Sequence, residues 1–179
     1  MPRDAYAVAR MNRRLVLAAV LAALALSSCG GDSETGKEPG RTRQRFIAQG
    51  DGLCRANALR ADRQNLRAAA IYERAPDDKT ALANLAPLLR KGLEDQRAAD
   101  RSFARLTPPP RDTAQFQKMK EYSRDATALL SRLADAAGRR DVAAVRALTK
   151  EQQRLRKPTR AFLQGYGFKE CGRATNDAD

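Results

Sequence analysis

DTAQFQKMKEYSRDATALLSRLADAAG, residues 112–138, is the stretch whose spacing decides the fold. Met119, Tyr122, Ala126, Leu129, Leu130 and Leu133 follow a helical period, so a helix gathers them on one face. Asp112 or Thr113 supplies a start signal, and Gly138 is expected to cap the C-terminus.

Working outward, three more stretches carry the same period. From Thr42 to Arg74, Phe46, Gly50, Leu53, Cys54 and Ala61 share a face, which Asn57 interrupts with an amide that needs partners if it is buried. From Asp78 to Leu106 the face is Leu82, Leu85, Leu89, Ala99, Phe103 and Leu106, entered through an Asp77 or Asp78 cap and stopped by Pro108, Pro109 and Pro110. After an Asp141 cap, Val145, Leu148, Leu155, Phe162 and Tyr166 form the last. Pro87 and Pro158 lie inside these runs, so a kink or break is expected near Ala86 and near Lys157. No segment alternates with the two-residue period of a strand. The chain therefore reads as all-α, an up-down four-helix bundle over residues 42–172, followed by a disordered tail at 173–179. With no Trp and only 5% aromatic residues, its core must be mainly Leu and Ala.

What precedes the bundle sets where it works. Arg13 and Arg14 lead into a 12-residue uncharged run, LVLAAVLAALAL (Leu15–Leu26), the length of an export-signal core and short for a membrane span. Leu26-Ser27-Ser28-Cys29 then looks like a lipobox, an aliphatic residue and two small ones ahead of the cysteine that receives diacylglycerol. The expectation is cleavage before Cys29, with residues 1–28 as signal peptide and Met11 as an alternative start. An uncleaved helical anchor, or a plain secretory signal with a chance cysteine, are the other readings. Two acyl chains on Cys29 hold a protein to a bilayer at about 0.8 kcal/mol per buried CH₂, so the domain itself need not bind membrane. Residues 29–41 would be the tether: GGDSETGKEPG has no apolar period and reaches roughly 17–20 Å as a random coil.

Cys54 and Cys171 remain after lipidation. In an oxidising, extracytoplasmic compartment such a pair is expected to bond, which would pin the C-terminal tail to the first helix. Two buried free thiols or a redox pair are the alternatives; there is no C-x-x-C and no histidine beside either.

The absence of histidine removes the commonest general base and metal ligand, and with it any Glu-x-x-His di-iron bundle. Asp77-Asp78 and Glu94-Asp95 read as a cap and an exposed patch rather than acid/base pairs. No phosphate loop or nucleophile elbow is present. No enzyme, cofactor or metal is expected. The net charge of +13 falls to 30 basic against 20 acidic residues once positions 1–28 are gone. Arg60, Arg63, Arg67 and Arg74 form one stripe, and Arg139, Arg146, Lys150, Arg154 and Lys157 another. If first and last helices are neighbours, the stripes join into a face for anionic headgroups or envelope polymers; solubility alone is the simpler reading. Aromatics do not interleave these residues, so nucleic acid is not an expected partner.

Lipobox, tether, early cysteine, proline break, Gly138-Arg139-Arg140-Asp141 and the closing Tyr166-Gly167-Phe168-Lys169-Glu170-Cys171-Gly172 together resemble small uncharacterised helical lipoproteins of actinobacteria. The resemblance implies a lipid-anchored place on the extracytoplasmic face of a bacterial membrane, supports a Cys54–Cys171 bridge, and transfers no activity. The expected function is a non-enzymatic binding or structural module of the cell envelope. Its rival is a carrier of a small apolar ligand or lipid, with Gly50, Ala61, Gly92 and Ala99 leaving room in the core.

Overall fold

The computed structural model describes residues 39–171 and Arg173. The expected signal peptide, Cys29 and most of the tether lie outside the described residues, as do Gly172 and the tail from residue 174. Four helices follow one another: α1 (Pro39–Arg74), α2 (Asp78–Ala104), α3 (Thr113–Gly138) and α4 (Val142–Tyr166), with a 3-10 turn at Pro110–Asp112 before α3. Among the described residues there is no strand. The connections are short, so neighbours run antiparallel. α2 packs on α1 and α3, and α3 packs on α4.

The start and stop signals explain most boundaries. The Asp77 carboxylate accepts the Thr80 N–H at 2.8 Å, and the Asp141 carboxylate accepts that of Ala144 at 2.9 Å. α1 begins at Pro39, earlier than Thr42; a proline fits a first helical turn because its missing N–H would have no helical partner there. α2 and α4 run unbroken through Pro87 and Pro158. Both prolines are exposed, so water can serve the carbonyl each leaves unbonded. α3 ends at Gly138 as expected, but the cap residue is Arg139, and Arg140 takes the left-handed turn with φ 58°. Gly138 instead admits the Arg90 guanidinium, whose Nη2 lies 3.1 Å from where a Cβ would stand.

The core divides in two. One cluster joins Leu82, Leu85 and Leu89 of α2 to Leu129, Leu130 and Leu133 of α3, with Ala61 and Ala68 of α1 and Val145 and Leu148 of α4. Each fully buried leucine contributes about 1.5–3 kcal/mol. The other is aromatic: Phe46, Phe103, Phe116, Tyr166 and Phe168 around Met119 and Leu163.

A capped, folded-back C-terminus completes the aromatic end. Gly167, at φ 115°, stops α4 in the left-handed conformation that glycine adopts without penalty. The chain then turns Phe168 onto Gly50, where a Cβ would collide with the ring. Gly50 is therefore filled by Phe168 and leaves no space for a ligand. The Asp51 carboxylate accepts the backbone N–H groups of Lys169, Glu170 and Cys171 at 2.8–3.2 Å. Cys54 and Cys171 are joined by a disulfide. No Cα of α1 comes within 8 Å of one in α4, so the two helices are linked through these tail contacts and through Phe46 and Arg43 against Tyr166.

Under the same end, Tyr166 donates its hydroxyl to Asp112 at 2.7 Å, and its backbone carbonyl accepts from Arg43 at 3.0 Å. Burial, then the Asp112 carboxylate, raises the phenol well above its ordinary value near 10. A raised folded-state pKa stabilises fully below the unfolded value and is lost as pH rises. Unfolding free energy is therefore expected to fall from about pH 10 upward, and Tyr166→Phe to remove that component. Urea melts between neutral and strongly alkaline pH check this; an unchanged alkaline slope in the variant contradicts it.

Candidate functional site

Each helix interrupts its apolar stripe with at least one buried polar side chain, Gln64 of α1 and Thr149 of α4 being additional to the four at one level. Asn57 of α1, Gln96 of α2, Ser123 of α3 and Gln152 of α4 are 0%, 1%, 6% and 3% exposed. In every helix this residue falls between those contributing to the leucine cluster and those contributing to the aromatic one. The bundle thus contains a polar layer between two apolar halves. A buried polar group with no partner costs about 1–3 kcal/mol, so such a layer demands that each donor and acceptor be accounted for.

Half of the layer accounts for itself. Asp100 accepts from Gln96 Nε2 at 2.8 Å, Ser123 Oγ at 2.5 Å and Thr127 Oγ1 at 2.6 Å, tying α2 to α3. Gln64 Nε2 donates to Asp95 at 3.0 Å, and Asn57 Oδ1 accepts from Arg60 at 3.4 Å. The remainder has no hydrogen-bond partner among the described residues: Asn57 Nδ2, Gln64 Oε1, Gln96 Oε1, and both polar atoms of Gln152.

Gln96, Ser123 and Gln152 meet at a cavity of about 140 Å³ between α2, α3 and α4. The cavity exists because Ser123, Ala126 and Thr159 are small where their helices face one another. Its walls are apolar, from Phe103, Met119, Tyr122, Leu129, Leu155 and Leu163. Arg156 and Arg160 line it half-buried, while Asp125 and Arg173 stand exposed at its edge. Cys171 also borders it, so the disulfide that fixes the tail fixes one end of the space. The volume is close to the roughly 150 Å³ cavity known to stay dry and hold a benzene ring, but here three buried polar groups break the apolar wall. The arrangement has room for a ring-sized molecule. Its lining includes amides and a hydroxyl, and the half-buried Asp100 carboxylate behind Gln96 and Ser123 is already held by three donors.

The residues singled out by sequence fare differently. Cys54 and Cys171 come together. Cys29 lies outside the described residues. Arg63, Arg67, Arg139, Lys150, Arg154 and Lys157 are exposed. Arg60 is partly turned inward to Asn57, and Arg146 pairs with Asp78 at 3.0 Å. α1 and α4 are not packed side by side, so the stripe on α1 and the stripe on α4 are not joined across a shared seam. Asp77 is a cap, and Asp95 pairs with Lys91 and Gln64. Gly50, Ala61, Gly92 and Ala99, proposed to open a cavity, do not line the one between α2, α3 and α4. Among the described residues there is no group of three or more Cys, Asp or Glu placed to hold a metal, and no helix long and apolar enough to cross a membrane.

Sequence reading found Asn57 as an interruption but missed Gln96 and Gln152. The available signal was their register: Gln96 lies three residues after Leu93 and Gln152 four after Leu148, both on the buried face. The chain matches no protein-family model, no curated protein and no solved structure.

Proposed function

We propose that this chain is an exported lipoprotein, anchored through an acylated Cys29 on the outer side of a bacterial membrane, whose four-helix domain is a non-enzymatic small-ligand-binding module of the cell envelope. The observation that carries the binding part is the cavity of about 140 Å³ between α2, α3 and α4, whose wall is mainly apolar with Gln96, Ser123 and Gln152 set into it. The lipobox-like residues 26–29 support the anchored part, and the resemblance to actinobacterial lipoproteins points the same way. A Cys54–Cys171 disulfide accords with export, since such bridges persist in oxidising compartments. The cavity's volume favours a ring-sized ligand over a lipid chain.

Native mass spectrometry of the protein purified from its own host tests the binding reading. The expected result is a non-covalent adduct of small-molecule mass that disappears on unfolding. A bare chain in the native spectrum would point instead to a purely structural module.

A further inference from the structure

We infer that α4 lies against the anionic phospholipid surface of the membrane; this rests on the lipid-anchored reading and gives the anchored domain its orientation. α4 keeps every acid off its outward face. From Ala143 to Gly165 each exposed position is Arg, Lys, Gln, Ala, Pro or Gly. The cations there are Arg146, Lys150, Arg154 and Lys157, which the 3.6-residue period brings onto one side. Arg146 pairs with Asp78 at 3.0 Å, while the other three have no acidic partner among the described residues. The helix's one acid, Glu151, is turned to α3, where Arg132 meets it at 2.8 Å. Ala143, Ala147 and Ala161 share the face, so no bulky side chain holds the cations off a flat layer. α3, by contrast, mixes Lys118, Arg124 and Arg132 with Glu121, Asp125 and Asp135 on its exposed side.

The anchoring chain enters beside this helix. Arg43, near the start of α1, donates to the Tyr166 carbonyl at 3.0 Å, so the start of α1 and the end of α4 share one end of the bundle. The chain from Cys29 joins α1 there, on a tether reaching roughly 17–20 Å. At about 1.5 Å per residue, Lys157 and Lys150 lie about 14 and 24 Å along α4 from Tyr166. A domain held that close can lay α4 along the headgroups. Each Lys or Arg near an anionic surface multiplies the docked population by about fivefold. Three or four of them hold a free protein only weakly, but the lipid makes the contact intramolecular and raises its effective concentration.

Lysine labelling of the protein, purified from its own host and mixed from detergent into vesicles, reads this directly. A water-soluble acetylating ester is applied in phosphatidylglycerol and in phosphatidylcholine vesicles, and mass spectrometry gives the rate at each lysine. Lys150 and Lys157 are expected to react about fivefold or more slowly on phosphatidylglycerol than on phosphatidylcholine. Lys91, exposed on α2 and paired with Asp95, is expected to react alike on both. Salt at about 0.5 M, which shortens the screening length to a few ångström, is expected to abolish the difference. Arg154→Gln changes an exposed side chain and leaves both labelled lysines in place, so it keeps the fold and is expected to lessen their protection. Equal rates on the two lipids, or a slowing that Lys91 shares, overturns the inference. The intact mass of the same sample separates this from the anchor. An acylated chain without selective protection removes the docking face and leaves the anchor standing. An unacylated chain whose Lys150 and Lys157 are still protected by phosphatidylglycerol does the reverse.

Discussion

Alanine at both Cys54 and Cys171 is expected to lower unfolding free energy by about 2–5 kcal/mol. The bridge spans 117 residues of sequence, close to the full length of the domain. In the chain-entropy model a loop of that order restricts the unfolded ensemble by about 4–5 kcal/mol. The folded state is affected too. The tail is one of the links between α1 and α4, and the bonds of residues 169–171 to Asp51 help hold Phe168 in its place over Gly50. Freeing the tail therefore loosens the aromatic cluster and one end of the cavity together. In urea melts the double variant should show a lower midpoint and a larger m-value, since an unbridged unfolded chain exposes more surface. Reductant should shift the wild-type melt toward the variant's and leave the variant unmoved. Identical melts for reduced and oxidised wild type would contradict the role given to the bridge.

Phe46→Ala is expected to cost about 3–5 kcal/mol. Phe46 is 1% exposed, with ring centroids of Phe116, Tyr166 and Phe168 at 5.5, 5.8 and 5.9 Å, all in edge-on contact. Such pairs add about 0.5–1.5 kcal/mol beyond burial, and the truncation also leaves a void that three rigid rings cannot refill. Leu66→Ala on the same helix is the control: Leu66 is 73% exposed, and a surface change of this kind should stay within about 0.5 kcal/mol of wild type. Because Phe46 packs on Phe168 and Cys171 holds Phe168's segment, the Phe46 and cysteine substitutions should not add. A thermodynamic cycle on the two measures that coupling, and strict additivity would place the tail and the aromatic cluster in separate units. Either loss is a large share of the 5–15 kcal/mol that stabilises an ordinary domain.

The four helices were legible because their apolar residues follow a 3.6-residue period, and because Asp77 and Asp141 stand where caps must. Pro87 and Pro158 were expected to kink or break their helices; neither breaks one, and both lie on the exposed side, where water can serve the freed carbonyl. Gly138 does end α3, yet Arg140 rather than the glycine took the left-handed position, and the glycine serves close packing with Arg90. The expected joining of the two basic stripes failed on arrangement: chain order says which helices are consecutive, not which edge of a bundle stays open.

The cavity was the least legible feature. A glutamine in a helix is usually a solvated residue, and Gln96 and Gln152 differ from Gln115 or Gln153 only in the face they occupy. Their burial depends on all the helices closing around them, which no single stretch of sequence reports. Asp51 was hidden likewise. It lies one turn before Cys54, but its three backbone donors come from residues 169–171, more than a hundred positions away.

The proposal as a whole depends on residue 29. Intact-mass measurement of the denatured protein from its native membrane tests it most directly. The account calls for a chain beginning at Cys29 and heavier than its sequence by a diacylglyceryl group. An unmodified Cys29, or a chain still carrying residues 1–28, would contradict it.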